Sequence, residues 1–167
     1  MPDAAPPGPE TAAGPAAGQL RLDGYLPYRL SVASNAVSRL IARAYEDRFG
    51  LTIPQWRLIA VLGESGPLTQ RAIGTRTVMD KVTVSRATQG LVKRRLVQRA
   101  PHDADGRSHR LVLSQAGARL YQEVSPVALE YEARLLQHFD PAAIDSLKQF
   151  LRHLEQAAEA LAESSGP

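Results

Sequence analysis

The stretch from Asp80 to Arg95, DKVTVSRATQGLVKRR, restricts the possible folds of this chain more than any other. Asp80 is a strong helix N-cap, because its carboxylate accepts the unpaired N–H groups of a first turn, so a helix is predicted from Lys81 to about Arg95. At about 100° per residue, Val84, Ala87, Thr88 and Leu91 gather on one side. Val82, Arg86, Gln89 and Lys93 gather on the opposite side, with Thr83 and Ser85 on the flanks. The first side has to pack; the second is left for solvent or for a partner.

The neighbourhood of this helix follows from similar signals. Thr69 caps a short helix running to about Arg76, so two capped helices face each other across a short turn. Leu96-Val97-Gln98-Arg99 and Arg110-Leu111-Val112-Leu113 read as strands of a hairpin, and Asp105-Gly106 in the connection is a turn signal. Upstream, Leu26, Leu30, Ala33, Val37, Leu40 and Ala44 form the apolar stripe of a long helix ending near Arg48, with Pro27 in its first turn. Thr52 and Gln55 form a capping box for a second helix ending near Gly63, with Trp56, Ile59 and Ala60 expected inside. Downstream, Ser114 caps a helix continuing to Phe139 and expected to bend at Pro126. Asp140-Pro141 starts a last helix, whose Ile144, Leu147, Leu151, Leu154, Ala158 and Leu161 form a near-heptad seam that needs another helix.

These elements predict a mainly α chain with a small β-hairpin wing. Residues 1–19, rich in Ala, Pro and Gly, are expected to be a disordered tail; 20–50 a dimerisation helix; 51–114 a winged helix-turn-helix lobe; and 115–163 further dimerisation helices. Length fits one compact domain with a tail. With no cysteine the chain coheres by packing alone, and disulfides, thiolate metal sites and thiol redox sensing are excluded. No apolar stretch is long enough for a membrane span and no signal peptide is visible, which leads to a cytoplasmic assignment without membrane partners.

Charge is concentrated in the middle of the chain. Between Gly66 and Val112 there are ten Lys and Arg against three Asp, a balance of +7 in a chain whose total is only +3. A basic centre between mildly acidic ends is the footprint of a fold that presents one part to a polyanion. The polar side of the 81–95 helix suits that partner chemically. An α-helix fits the major groove of double-stranded DNA, where Arg grips guanine, Gln grips adenine and a small apolar group touches the thymine methyl. Arg86, Gln89 and Val82 supply those three chemistries, with Lys81, Thr83 and Ser85 beside them for bases or phosphates. Thr69, Gln70, Arg71, Lys93, Arg94 and Arg95 are assigned to phosphates. Arg107 at the hairpin tip is assigned to the minor groove, and Asp105 to holding the tip in shape.

The run from Leu51-Thr52-Ile53-Pro54-Gln55-Trp56-Arg57 through Asp80-Lys81-Val82-Thr83-Val84-Ser85-Arg86 and Asp105-Gly106-Arg107 to Leu113-Ser114-Gln115-Ala116-Gly117 closely resembles the MarR family of regulators, over roughly residues 25 to 160. The resemblance implies a homodimer with intertwined terminal helices, a winged lobe on each subunit and a phenolic or aromatic-acid effector. By the same analogy the effector pocket would draw on Tyr28, Arg29, Asn35, Trp56 and Arg57. The expected function is a repressor released from a pseudo-palindromic operator by that ligand; the alternatives are a ligand-independent regulator or activator of the same fold, or a winged-helix protein-interaction module. Two departures stand out. Gly74 occupies a position where Ala is common, and Val78 occupies the turn where Gly is frequent, so the turn is expected to differ in shape.

Other chemistries find little support. Asp103-Ala104-Asp105-Gly106 lacks the third acid and the distal Glu of a calcium loop, and His102, His109, His138 and His153 have no zinc-ligand spacing. No phosphate loop, nucleophile elbow or carboxylate pair is present, so no metal, no cofactor and no enzymatic activity are expected.

Overall fold

The computed structural model describes residues 20–101 and 109–164; the tail expected over 1–19 and the wing tip with Asp105 and Arg107 lie outside the described residues. Packing divides the chain into two units, Met1–Val37 and Ser38–Pro167. In the first, a 3-10 turn at Leu22–Gly24 precedes α1 (Leu26–Phe49), which begins with Pro27 in its first turn and continues into the second unit. Leu22, Tyr25, Leu26, Tyr28 and Val32 are exposed on the single chain.

The second unit holds the remainder of α1 and then α2 (Ile53–Ser65), β1 (Leu68–Thr69), α3 (Gln70–Thr77), α4 (Lys81–Lys93), β2 (Val97–Pro101), β3 (His109–Leu113), α5 (Gln115–Leu136) and α6 (Pro141–Ser164). The capping box that opens α2 is complete: Thr52 Oγ1 accepts from Gln55 N–H at 3.4 Å and Gln55 Oε1 accepts from Thr52 N–H at 3.1 Å. The helix runs past Gly63 to Ser65, because Gly66, at φ +76°, is the residue able to turn the chain and bond its N–H to Leu62 O. Its buried side is Leu58, Ile59 and Leu62. Trp56 and Ala60, expected inside, are half-buried, since α2 packs on α3 and α4 as well as on α5 and its apolar face is centred between them.

That core continues through Ile73, Val84, Ala87, Leu91, Val97, Leu111 and Val124. The wing is a three-stranded antiparallel sheet in the order β1-β3-β2, not a hairpin alone. Leu68 pairs with Leu111 and Thr69 with Arg110, so the start of α3 is tied to the wing. Two residues carry no alternation from which β1 could be read. Ser114 caps α5 by accepting Gly117 N–H at 3.0 Å and donates its own N–H to Leu96 O at 3.0 Å. A Cβ at Gly117 would overlap the Leu96 carbonyl, so glycine lets α5 press on the segment between α4 and β2. α5 passes Pro126 but ends at Leu136, short of Phe139.

The turn between α3 and α4 departs from expectation in an instructive way. Val78 takes the left-handed conformation, φ +51° and ψ +39°, that its branched Cβ disfavours, and its side chain is 93% exposed. The surroundings over-determine that conformation. The N–H groups of Val78 and Met79 both bond Gly74 O, while Asp80 has to emerge in position to cap α4. Gly74 contributes too, since a Cβ there would stand 3.1 Å from Met79 O. Strain of this kind costs about 1–3 kcal/mol, and no contact of the exposed side chain offsets it. Val78→Gly is therefore expected to raise the unfolding free energy by about 1 kcal/mol in urea titrations, the relief of strain exceeding the added chain entropy. An unchanged or lower midpoint would show that the position is unstrained.

Candidate nucleic-acid interface

α4 is set by its two ends and by one buried side. At its start Asp80 Oδ1 accepts Thr83 N–H at 2.9 Å and Oδ2 accepts the Thr83 hydroxyl at 2.6 Å. The Thr83 hydroxyl first, and the Thr83 N–H second, hold the exposed Asp80 carboxyl below its ordinary pKa. The cap is thus charged at neutral pH; its contribution is present above the ordinary carboxylate value and is lost as pH falls through the lowered one. Val84, Ala87, Thr88 and Leu91 are buried, the four residues that the helical wheel assigns to the packed side. The Thr88 hydroxyl is buried without a hydrogen-bond partner among the described residues, so its burial carries a desolvation cost of about 1–3 kcal/mol.

The opposite side is open. Lys81, Val82, Arg86, Gln89 and Lys93 are exposed, with Thr83 and Ser85 half-buried at the flanks. Gln89 Nε2 lies 3.4 Å from Ser85 Oγ, a contact that orients the amide without covering it. Among the described residues the one ion pair is Arg134 with Glu130, on α5, so Lys81, Arg86 and Lys93 hold no carboxylate there. Val82 is 57% exposed, an uncovered apolar group amid these donors.

α3 provides the second part of the surface. The Thr69 side chain accepts Ala72 N–H at 3.2 Å, and Gln70 and Arg71 follow in the first turn. Gln70, Arg71, Gly74, Met79, Lys81 and Val84 line a hollow of about 440 Å³ between α3 and α4. Thr75 and Arg76 were not singled out from sequence, yet with Thr69 and Arg71 they line an adjoining hollow. The signal was available: Thr75 stands one helical turn after Arg71, and its hydroxyl donates to Arg71 O at 3.3 Å. Arg76 donates to Ser65 Oγ, which secures α3 to the end of α2.

Not every assigned cation joins this surface. Arg95, at φ +57°, leads into β2 and lines a separate hollow with Val92, Val97, Gln98, Arg99 and Ser114. Arg94 directs its guanidinium at the carbonyls of Phe49 and Gly50, at 2.8 Å each. β2 and β3 pair from Val97↔Leu113 to Pro101↔His109, beyond which the positions of Asp105 and Arg107 lie outside the described residues.

Of the residues tied to an effector, Tyr28, Arg29 and Asn35 are exposed on the part of α1 in the first unit. Trp56 and Arg57 are half-buried in the second. There Trp56 lies between Tyr45 and Tyr121, with centroids 5.7 and 6.2 Å away, and Arg57 Nη2 is 3.5 Å from Ser38 Oγ. Burial raises the Tyr45 pKa, against the opposing charge of Arg57.

Comparison with known proteins agrees with this geometry. The MarR family model matches residues 49–108, from the end of α1 to the wing. An uncharacterised HTH-type transcriptional regulator of Bacillus subtilis, YwoH, is 31% identical over 101 residues, covering 59% of this chain and 73% of the relative. A probable transcriptional regulator from Pseudomonas aeruginosa superposes with a TM-score of 0.69 at 32% identity, over 80% of this chain and 99% of its own. A MarR/EmrR family regulator from Acinetobacter gives a TM-score of 0.78 at 26% identity, over 84% and 99%. At the level of fold, the chain also resembles BpsR of Bordetella bronchiseptica, whose DNA binding is regulated by 6-hydroxynicotinic acid, with a TM-score of 0.73 at 21% identity over 83% and 98%. No helix among the described residues is long and apolar enough to cross a membrane. With the polar side of α4 uncovered, its three-stranded wing and these relatives, the chain belongs to the MarR family of DNA-binding transcriptional regulators.

Proposed function

We propose that this regulator is a homodimeric repressor that holds a pseudo-palindromic operator and is released from it by a small aromatic or phenolic ligand. The observation that carries the DNA reading is the two-sidedness of α4: a fully packed side opposite an uncovered one bearing Lys81, Val82, Arg86 and Gln89. In a dimer, two such helices would enter successive major grooves about 34 Å apart, with Thr69, Gln70, Arg71 and Lys93 on the phosphates between. Arg107 would add a minor-groove contact, steadied by Asp105.

Dimerisation through the terminal helices, 20–50 and 115–163, is supported by what the single chain leaves uncovered. α6 buries none of its residues, and Leu147, Phe150 and Leu161 on it are exposed, as are Leu26, Val32 and Leu40 on α1. A long apolar seam with no fully buried residue is the kind of surface that a second chain would cover. Ligand release is supported by the aromatic row Tyr45, Trp56 and Tyr121 beside Arg57 in this chain, and by the ligand-controlled DNA binding of the structurally similar BpsR. Tyr28, Arg29 and Asn35 complete the set assigned to the effector. A ligand favouring another separation of the lobes lowers operator affinity by its coupling free energy, and DNA lowers ligand affinity by the same factor.

Three outcomes follow. Arg86→Ala should relax preference at one base pair, losing about 1–3 kcal/mol there and little elsewhere. Binding that is indistinguishable from the parent on both selected and scrambled duplexes would remove the reading role. Leu147→Glu combined with Leu151→Glu should give monomers with poor operator affinity, and an unaltered sedimentation coefficient would dismiss the proposed interface. In a thermal-shift panel of aromatic acids that includes 6-hydroxynicotinic acid, at least one compound should raise the melting temperature and weaken operator binding; a panel without such a compound would leave the repressor without this release mechanism.

A further inference from the structure

The Arg94 side chain joins two helices that are far apart in sequence. Its backbone belongs to the end of α4, where its N–H bonds Gly90 O at 3.1 Å. Its guanidinium Nη1 donates to Gly50 O and Nη2 to Phe49 O, both at 2.8 Å. Phe49 is the last residue of α1, and Gly50, at φ +61°, turns the chain away from it. The cation therefore sits at the C-terminal end of α1, where unpaired carbonyls concentrate negative potential. A planar guanidinium spans two adjacent carbonyls with a fixed fork, whereas an ammonium on its flexible stem offers no such preset geometry. At the same end the Arg48 guanidinium lies over the Phe49 ring, 5.2 Å from its centroid.

We infer that Arg94 is a positioning residue: by clamping the end of α4 to the end of α1 it fixes how the two reading helices are spaced on DNA, and it does not contact phosphate. The inference rests on the proposed reading of α4 as the major-groove element and of α1 as part of the dimer surface. A cation on α4 beside basic neighbours would ordinarily be assigned to the DNA backbone. The two accounts separate cleanly, because a phosphate contact tolerates any cation and adds to the salt dependence of binding, whereas a clamp requires the fork and leaves that dependence alone.

The test uses the full-length protein and a two-half-site duplex recovered by selection from random DNA. Companion duplexes carry the same half-sites moved apart by about one or two base pairs, or a single half-site. Arg94→Lys and Arg94→Gln should each bind the two-half-site duplex about tenfold more weakly, bind the single half-site as the parent does and lose discrimination between spacings. Their slope of log affinity against log salt should match the parent, while Lys93→Gln lowers it by about 1. Parental binding by Arg94→Lys together with a reduced slope for Arg94→Gln would overturn the clamp in favour of a phosphate contact. Equal losses on single and paired half-sites, or losses traceable in both variants to a lower melting temperature, would overturn it as well. Failure of the underlying reading is separate: the parent itself would then recover no preferred sequence.

Discussion

The structure depends on the burial of one stripe of α4. Val84, Ala87, Thr88 and Leu91 reach the core formed by Leu58, Ile59, Leu62 and Ile73, and each of these is almost wholly removed from water. Burying Val84 and Leu91 yields about 1.5–3 kcal/mol apiece, enough to fix the rotation of the helix about its own axis. Once that rotation is fixed, Val82, Arg86, Gln89 and Lys93 have to face outward, because they stand half a turn away. The outward side gains its chemistry from the inward side's packing. Thr88 shows how completely packing governs, since the fold retains its unpartnered hydroxyl in preference to rotating the helix.

Electrostatics then act on a framework already set. Asp80 places a charged carboxylate at the very start of α4, the helix proposed to enter DNA, which by itself would repel phosphate. Both of its oxygens are engaged by Thr83, and Lys81 follows it immediately, so the local field remains positive while the first turn keeps its cap. The basic middle of the sequence also divides into different roles in three dimensions. Lys81, Arg86 and Lys93 stand free of carboxylates among the described residues, Arg76 secures α3, and Arg94 secures α4 to α1. Net charge located the surface; hydrogen-bond geometry separated cations that present charge from cations that hold helices.

Legibility followed the range of the interaction involved. The helices were readable because caps and apolar periodicity are local: Thr52, Thr69, Asp80 and Ser114 each cap as their spacing implies. β1 was not readable, since Leu68 and Thr69 become a strand only because Leu111 and Arg110 lie alongside. The role of Arg94 was hidden for the same reason, its partners being 44 and 45 residues away. Val78 marks a third limit. Local sterics identified an unfavourable residue, but the two bonds to Gly74 O and the cap at Asp80 together outweigh a penalty of about 1–3 kcal/mol, so Val78 is held in the left-handed region and the turn stores the strain.

The uneven burial along the chain also bears on how the protein holds together. The core from α2 to the wing is closed within one chain, whereas α6 buries none of its residues, and its apolar seam of Ile144, Leu147, Leu151 and Leu154 stays partly or fully in water. Most helical stability in folded proteins comes from tertiary packing, so α6 is the element that its own chain stabilises least. Lobe and terminal helices then differ in what stabilises them: the lobe answers to its internal packing, and in the proposed dimer the terminal helices would answer to subunit concentration and to the fit between subunits. In the proposed mechanism a ligand acting on that association-dependent part would shift the two α4 helices while the lobe that carries them stays intact.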